Sequence, residues 1–195
     1  MHIPKSFKRL IKALLYHPCG VVMGRDSLVK RPFSLRNRAH IRIGERCSIG
    51  RFATWDAIQE YAGKSQRGAI VLGNDVYIGG YSHIQVVSTV EIGDGCVLSE
   101  HVYMSDVAHG LDPNAGLIMQ QPVESKGPVR IGRHVFIGFG ASVLPGVTLG
   151  DYCVVGTRSV VTRSFPPYSM IAGVPARLIK AFDQRTGQWV SVPAN

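Results

Sequence analysis

An all-β chain wound as a parallel β-helix is predicted by three features of the stretch from Val129 to Val161. An aliphatic residue recurs at every sixth position: Ile131, Ile137, Val143, Leu149, Val155 and Val161. Glycine follows four of the six, at Gly132, Gly138, Gly150 and Gly156. A small residue stands two places before each next aliphatic, at Val135, Ala141, Val147, Cys153 and Ser159. A period of six belongs neither to a helix nor to a lone strand, and it marks coils that stack because none can bury its apolar face alone. Each six-residue segment is then a short strand and a corner, with the aliphatic residue turned to the axis.

The same grammar recurs upstream with its phase reset. Ile43 and Ile49, then Leu72, Ile78 and Ile84, then Ile92, Leu98 and Met104 bring the aliphatic positions to fourteen. The small position continues through Cys47, Ala53, Val76, Ser82, Ser88, Cys96 and Val102. With three segments to a coil, about five coils follow.

Residues 1–20 read as an N-terminal amphipathic helix, 21–166 as the β-helix, and 167–195 as a C-terminal extension. Phe7, Leu10, Ile11, Leu14 and Leu15 fall at helical spacing with lysine and arginine opposite. Such a helix caps the open first coil or rests on an anionic membrane as a peripheral contact. Residues 21–40 are irregular enough for a degenerate first coil, and 51–69 read as a loop or distorted coil. The largest break runs from Ser105 to Pro128, and long loops held on rigid scaffolds are where function concentrates. After Val161 prolines stop the coil, and A-R-L-I-K-A-F reads as a short closing helix.

A net charge of +9 favours an anionic partner. The basic residues are scattered and not interleaved with aromatics, which argues against nucleic acid. Three of the four cysteines, Cys47, Cys96 and Cys153, occupy small interior positions and read as core residues, not as a disulfide or metal set. The first apolar run is broken by Lys5, Lys8, Arg9 and Lys12, so a signal peptide is not expected and a cytoplasmic location is.

The repeats, the loop motif H-G-L-D-P and the tail P-P-Y-S-M-I-A-G-V-P-A-R-L-I-K resemble the hexapeptide-repeat acetyltransferases, in layout the galactoside, maltose and surface-polysaccharide O-acetyltransferases. The similarity spans about residues 40–182. It implies a left-handed coil, a homotrimer with sites between adjacent subunits, acetyl-CoA as cosubstrate without a metal, and a sugar or glycan hydroxyl as acceptor. Transfer to an alcohol needs a group that takes the hydroxyl proton, and a neutral imidazole suits that role. The family's loop histidine matches His109. Asp106 is then a candidate to hold the imidazole or bind the acceptor, Gln85 and His83 are candidate acceptor ligands, and Phe136 stands where relatives carry an aromatic beside the histidine. For CoA the matching positions are Phe139, Thr157, Thr162 and Arg163, with Arg177 and Lys180 near the adenosine phosphates. Three alternatives stay open: acetylation of a small alcohol or antibiotic, a zinc site of the carbonic anhydrases built on the same prism, and a non-catalytic scaffold. For zinc, His40, His101 and His134 share an outward repeat position but lack a paired H-x-x-x-x-H.

Overall fold

The structure, a computed structural model, describes residues 18–192. The proposed N-terminal helix lies outside them. Six coils stack into a three-sided prism of parallel sheets. The first face is built from Val22–Met23, Ile41–Ile43, Ala69–Leu72, Thr89–Ile92, Val129–Ile131 and Thr148–Leu149. Leu28–Val29, Ser48–Ile49, Tyr77–Ile78, Val97–Leu98, Phe136–Ile137 and Val154–Val155 make the second. The third holds Ser34–Arg36, Thr54–Ala57, His83–Val86, Tyr103–Ser105, Ser142–Val143 and Val160–Val161. Equivalent residues of successive coils pair in register, as in Tyr77 with Val97, Val97 with Phe136 and Phe136 with Val154. The sixth coil comes from residues 21–36, whose irregular sequence still places Val29 and Leu35 in the core.

Inside, the six-residue rule decides the packing. Ile49, Ile78, Ile84, Leu98, Met104, Ile137, Leu149 and Val155 are all fully buried, with Ala53, Cys96, Ala141 and Cys153 filling the narrower corners between them. Interior thiols donate to carbonyls of neighbouring coil turns: Cys47 Sγ to Gly73 O at 3.1 Å, Cys96 Sγ to Gly132 O at 3.0 Å, Cys153 Sγ to Pro166 O at 3.2 Å. Burial pushes the Cys96 thiol up to about 11, so it stays protonated and able to donate.

The repeat glycines owe their place to packing between coils and not to backbone conformation. They serve coil stacking: a Cβ on Gly132 would lie 2.6 Å from the Asp151 amide nitrogen, and one on Gly138 would lie 2.7 Å from that of Thr157. Positive φ is instead carried two residues on, by Arg46, Phe52, Asp75, Tyr81, His134, Tyr152 and Arg158. Left-handed backbone costs an L-residue about 1–2 kcal/mol. Its compensation is visible at each corner, where the strained residue's amide donates to the preceding coil: Asp75 to Glu45 O at 2.8 Å, Tyr81 to Arg51 O at 2.8 Å, Tyr152 to Arg133 O at 2.8 Å. Because coils repeat at the spacing of neighbouring strands, corner rings stack as ladders. Phe52, Tyr81, His101 and Phe139 climb one edge with centroids 4.9, 4.8 and 5.1 Å apart. His134, Tyr152 and Tyr168 climb another at 5.0 and 5.1 Å.

Two expectations are corrected. Thr54–Ala57, expected in a loop or distorted coil, is a regular strand, and Trp55 is fully buried with its Nε1 donating to Ser82 Oγ at 3.1 Å. The closing helix is a strand: Ser169–Gly173 joins the second face, and Ala176–Asp183 and Gln188–Ser191 follow antiparallel. Burial alternates along Ala176–Asp183, the period of a strand edge, so Arg177 and Lys180 lie on opposite faces and not on adjacent turns.

Candidate active site

At the edge between the third and first faces, most coils turn in a few residues. Two make excursions that meet. Residues 58–68 form a small hairpin, Glu60–Tyr61 against Lys64–Ser65, turned by Ala62 and Gly63, both at positive φ. Two coils further on, residues 105–128 form an arm in which Val107–His109 pairs antiparallel with Val123–Ser125. A short 3-10 turn, Ile118–Gln120, closes the distal half. Ile58, Val87 and Val123 are buried together under Tyr61 and Val107, an apolar cluster separate from the prism core that seats the arm on the hairpin.

His109 ends the outgoing arm strand and is exposed. Its Nδ1 lies 3.4 Å from the Tyr61 hydroxyl, and the rings meet edge to face at 5.4 Å. The turn beyond it is held by Gln121, only 4 % exposed. Gln121 Nε2 donates to Asp112 O and Gly116 O at 2.9 and 3.1 Å, and its Oε1 accepts the Asp112 amide at 3.1 Å. Space is tight at Gly110 beside the histidine, where a Cβ would lie 3.0 Å from both Gln121 Oε1 and Pro122 O and one or both would have to shift.

Asp106 departs from the reading of it as an exposed partner for the imidazole or the acceptor. It is 0 % exposed, and its carboxylate accepts the amides of Val87, Ser88 and Thr89 at 2.8, 2.9 and 2.7 Å. Asp106 therefore pins the root of the arm to the tight turn of the coil beneath. Burial pushes its carboxyl up, against the three amide donors, which favour the ionised form.

The other candidates are spread over the prism. His83 and Gln85 alternate with buried Ile84 and Val86 on the outer third face. His83 stacks on Tyr103 at 5.6 Å, and Gln85 is in register with Asp56 and Ser105. Beside His83 a groove of about 540 Å³ is lined by Phe33, Phe52, Thr54, Tyr81, Ser82 and His101. Phe136 is exposed on the second face. Phe139 sits at the edge between second and third faces, under the Arg158 guanidinium at 5.9 Å, with Thr157 exposed on the next coil. Thr162 and Arg163 are exposed two coils beyond the arm on the arm's own edge, Arg163 over the Phe165 ring at 5.2 Å. Arg177 and Lys180 extend the second face. Within one prism His109 is thus close to neither Phe136 nor the tail cations, which lie on the face opposite its edge. Sequence reasoning missed Tyr61 and Gln121, neither of which carries a repeat or motif signal; for Tyr61 the interruption of the repeat at 51–69 was the one clue. His101 and His134 prove to climb different edges, and among the described residues no group of three or more His, Cys, Asp or Glu is placed to hold a metal ion.

Comparison with known proteins agrees with this architecture. Residues 128–163 match the family model for the bacterial transferase hexapeptide (six repeats), and 69–103 match that for the hexapeptide repeat of succinyl-transferase. WbbJ of Escherichia coli K12, named for lipopolysaccharide biosynthesis O-acetyl transfer, is 32% identical over 192 residues, covering 94% of this chain and 92% of its own. A maltose O-acetyltransferase from Clostridium difficile 630 superposes with a TM-score of 0.63 at 28% identity, over 75% of this chain and 73% of the other. A point mutant of AntD, an N-acyltransferase from Bacillus cereus, in complex with dTDP and coenzyme A, has a TM-score of 0.72 over 88% and 92% of the two chains; at 22% identity this is a likeness of fold. The stacked repeats, the histidine-bearing arm and a relative matched nearly end to end place the chain in the hexapeptide-repeat family of acyltransferases.

Proposed function

We propose that this acyltransferase moves the acetyl group of acetyl-CoA to a hydroxyl of a sugar, with His109 as the general base. The observation that carries the reading is an exposed imidazole on an arm fixed at its root by Asp106 and along its side by the Tyr61 hairpin, with Nε2 making no hydrogen bond among the described residues. The acceptor hydroxyl gives its proton to Nε2 as its oxygen attacks the thioester carbonyl; the C–O bond forms, the C–S bond breaks, and the proton passes to the departing CoA sulfur. The names of WbbJ and the maltose enzyme support a sugar acceptor, and the CoA held by AntD supports the donor.

A second copy of the chain completes the site in this reading. His109 projects from one edge, while Phe136, Arg177 and Lys180 occupy the opposite face, so only a neighbour's face can bring them together. Leu111, Leu117, Ile118 and Met119 are 52–74% exposed on the arm, an apolar tip suited to cover by that neighbour. The homotrimer and the left-handed coil belong to the same proposal. Arg177 and Lys180 then meet the CoA phosphates, with Phe139, Thr157, Thr162 and Arg163 along its path, and His83 and Gln85 face the acceptor. The test is release of CoA thiol from acetyl-CoA against a panel of sugars, with His109→Ala beside the parent. Loss of about 10²- to 10⁴-fold in rate is expected; parent-level activity in the variant removes the base, and a monomer with full activity removes the shared site.

A further inference from the structure

We infer that Tyr61 is a positioning residue that fixes which nitrogen of His109 carries the proton. The inference rests on His109 being the working imidazole, and it names a residue from outside the arm, on a different coil. One oxygen joins three elements: the Tyr61 hydroxyl of the hairpin lies 3.2 Å from the Met119 carbonyl of the arm's 3-10 turn and 3.4 Å from Nδ1 of His109. A phenol has a single hydrogen to donate, and a carbonyl oxygen accepts hydrogen bonds but cannot donate one. With its hydrogen on Met119 O, a shorter contact than Nδ1 or the Met119 sulfur at 3.9 Å, the hydroxyl turns a lone pair toward Nδ1. That contact is attractive only when Nδ1 bears the hydrogen, which leaves the Nε2 lone pair free for the acceptor proton.

The phenol ring is itself held. It packs on the buried cluster of Ile58, Val87 and Val123, and its backbone lies in the hairpin ladder opposite Lys64. The ring edge of one partner meets the ring face of the other at 68°, which holds the imidazole so that Nδ1 faces the hydroxyl. Removing the hydroxyl alone, in Tyr61→Phe, keeps the packing and takes away the contacts to His109 and Met119.

Two readouts separate this role from a structural one. In full-length protein labelled with ¹⁵N-histidine, the His109 ring signals, identified by their absence in His109→Gln, report the neutral tautomer. The parent is expected to show Nδ1–H, and Tyr61→Phe to move population to Nε2–H. With acetyl-CoA and the panel sugar that the parent acetylates fastest, Tyr61→Phe is expected to lower kcat about 5- to 10-fold, the value of one hydrogen bond, with KM for acetyl-CoA unchanged. An Nε2–H tautomer in the parent overturns the inference without any variant, and so does an unchanged tautomer in Tyr61→Phe. The two proposals fail separately. An active His109→Ala would end the base while a tautomer that moves in Tyr61→Phe would still establish the positioning contact.

Discussion

The prism and the arm are built by opposite rules. In the prism a residue's place is settled by its position in a six-residue count, and each coil repeats the bonds of the one before it. Along the arm no count applies: His109 is placed by single contacts, the Asp106 carboxylate at its root, the Tyr61 hydroxyl at its flank and the Gln121 amide at its tip. The prism is therefore redundant, sharing its stabilisation among many equivalent contacts, while the arm rests on one strand pair, one small apolar cluster and a few single polar contacts. Rigid repetition supplies the platform, and local singular contacts supply the chemistry.

The sharpest separation comes from His109→Ala. Activity should fall about 10²- to 10⁴-fold with the melting temperature unmoved, because the side chain is exposed and supports nothing in the prism; a lowered melting temperature would make it a structural residue. Asp106→Ala tests the joint between the regions. It strands three amide donors at a buried turn and should cost about 1–3 kcal/mol in denaturant unfolding, and limited proteolysis should cut the arm before the coils. Arm cleavage no faster than in the parent would refute the pinning role.

Gly132→Ala probes the prism alone. Its Cβ would press on the next coil at Asp151, so a loss of about 1–3 kcal/mol is expected with kcat per folded molecule retained. The smallest effect is electrostatic. The Arg133 amide and guanidinium hold the Asp151 carboxyl below its ordinary range, and the Arg46 guanidinium does the same for Asp75. Depressed carboxylates stabilise the fold above the ordinary carboxylate pKa, and that contribution disappears as pH falls through their lowered folded values. Asp151→Asn should flatten the acid limb of the stability curve slightly. Asp106 has the opposite sign, since its raised folded pKa makes the native state gain stability as pH drops from neutral toward the carboxylate range.

The legible parts share one cause. Ile131, Ile137 and Val143 announce the coil because their burial follows from spacing, and the H-G-L-D-P motif points to His109 as an arm residue. What escapes is whatever depends on a partner far along the chain. Asp106 reads as an exposed loop carboxylate because its amide partners lie about a coil earlier, at 87–89. A-R-L-I-K-A-F, residues 176–182, reads as helical because L-I-K-A-F suits either period, and pairing with Ser169–Gly173 decides for strand.

By itself, the order of residues determined a stacked prism with an interior of Ile, Val, Leu and small side chains, and it singled out one long interruption as the place for chemistry. Tertiary structure alone decided that Tyr61 and His109, forty-eight positions apart, share a hydrogen-bonding contact, and that Asp106 turns inward. The reason is that a repeat encodes neighbours at a constant offset, whereas a contact between two excursions is set by where each leaves the coil, which no spacing within either one specifies.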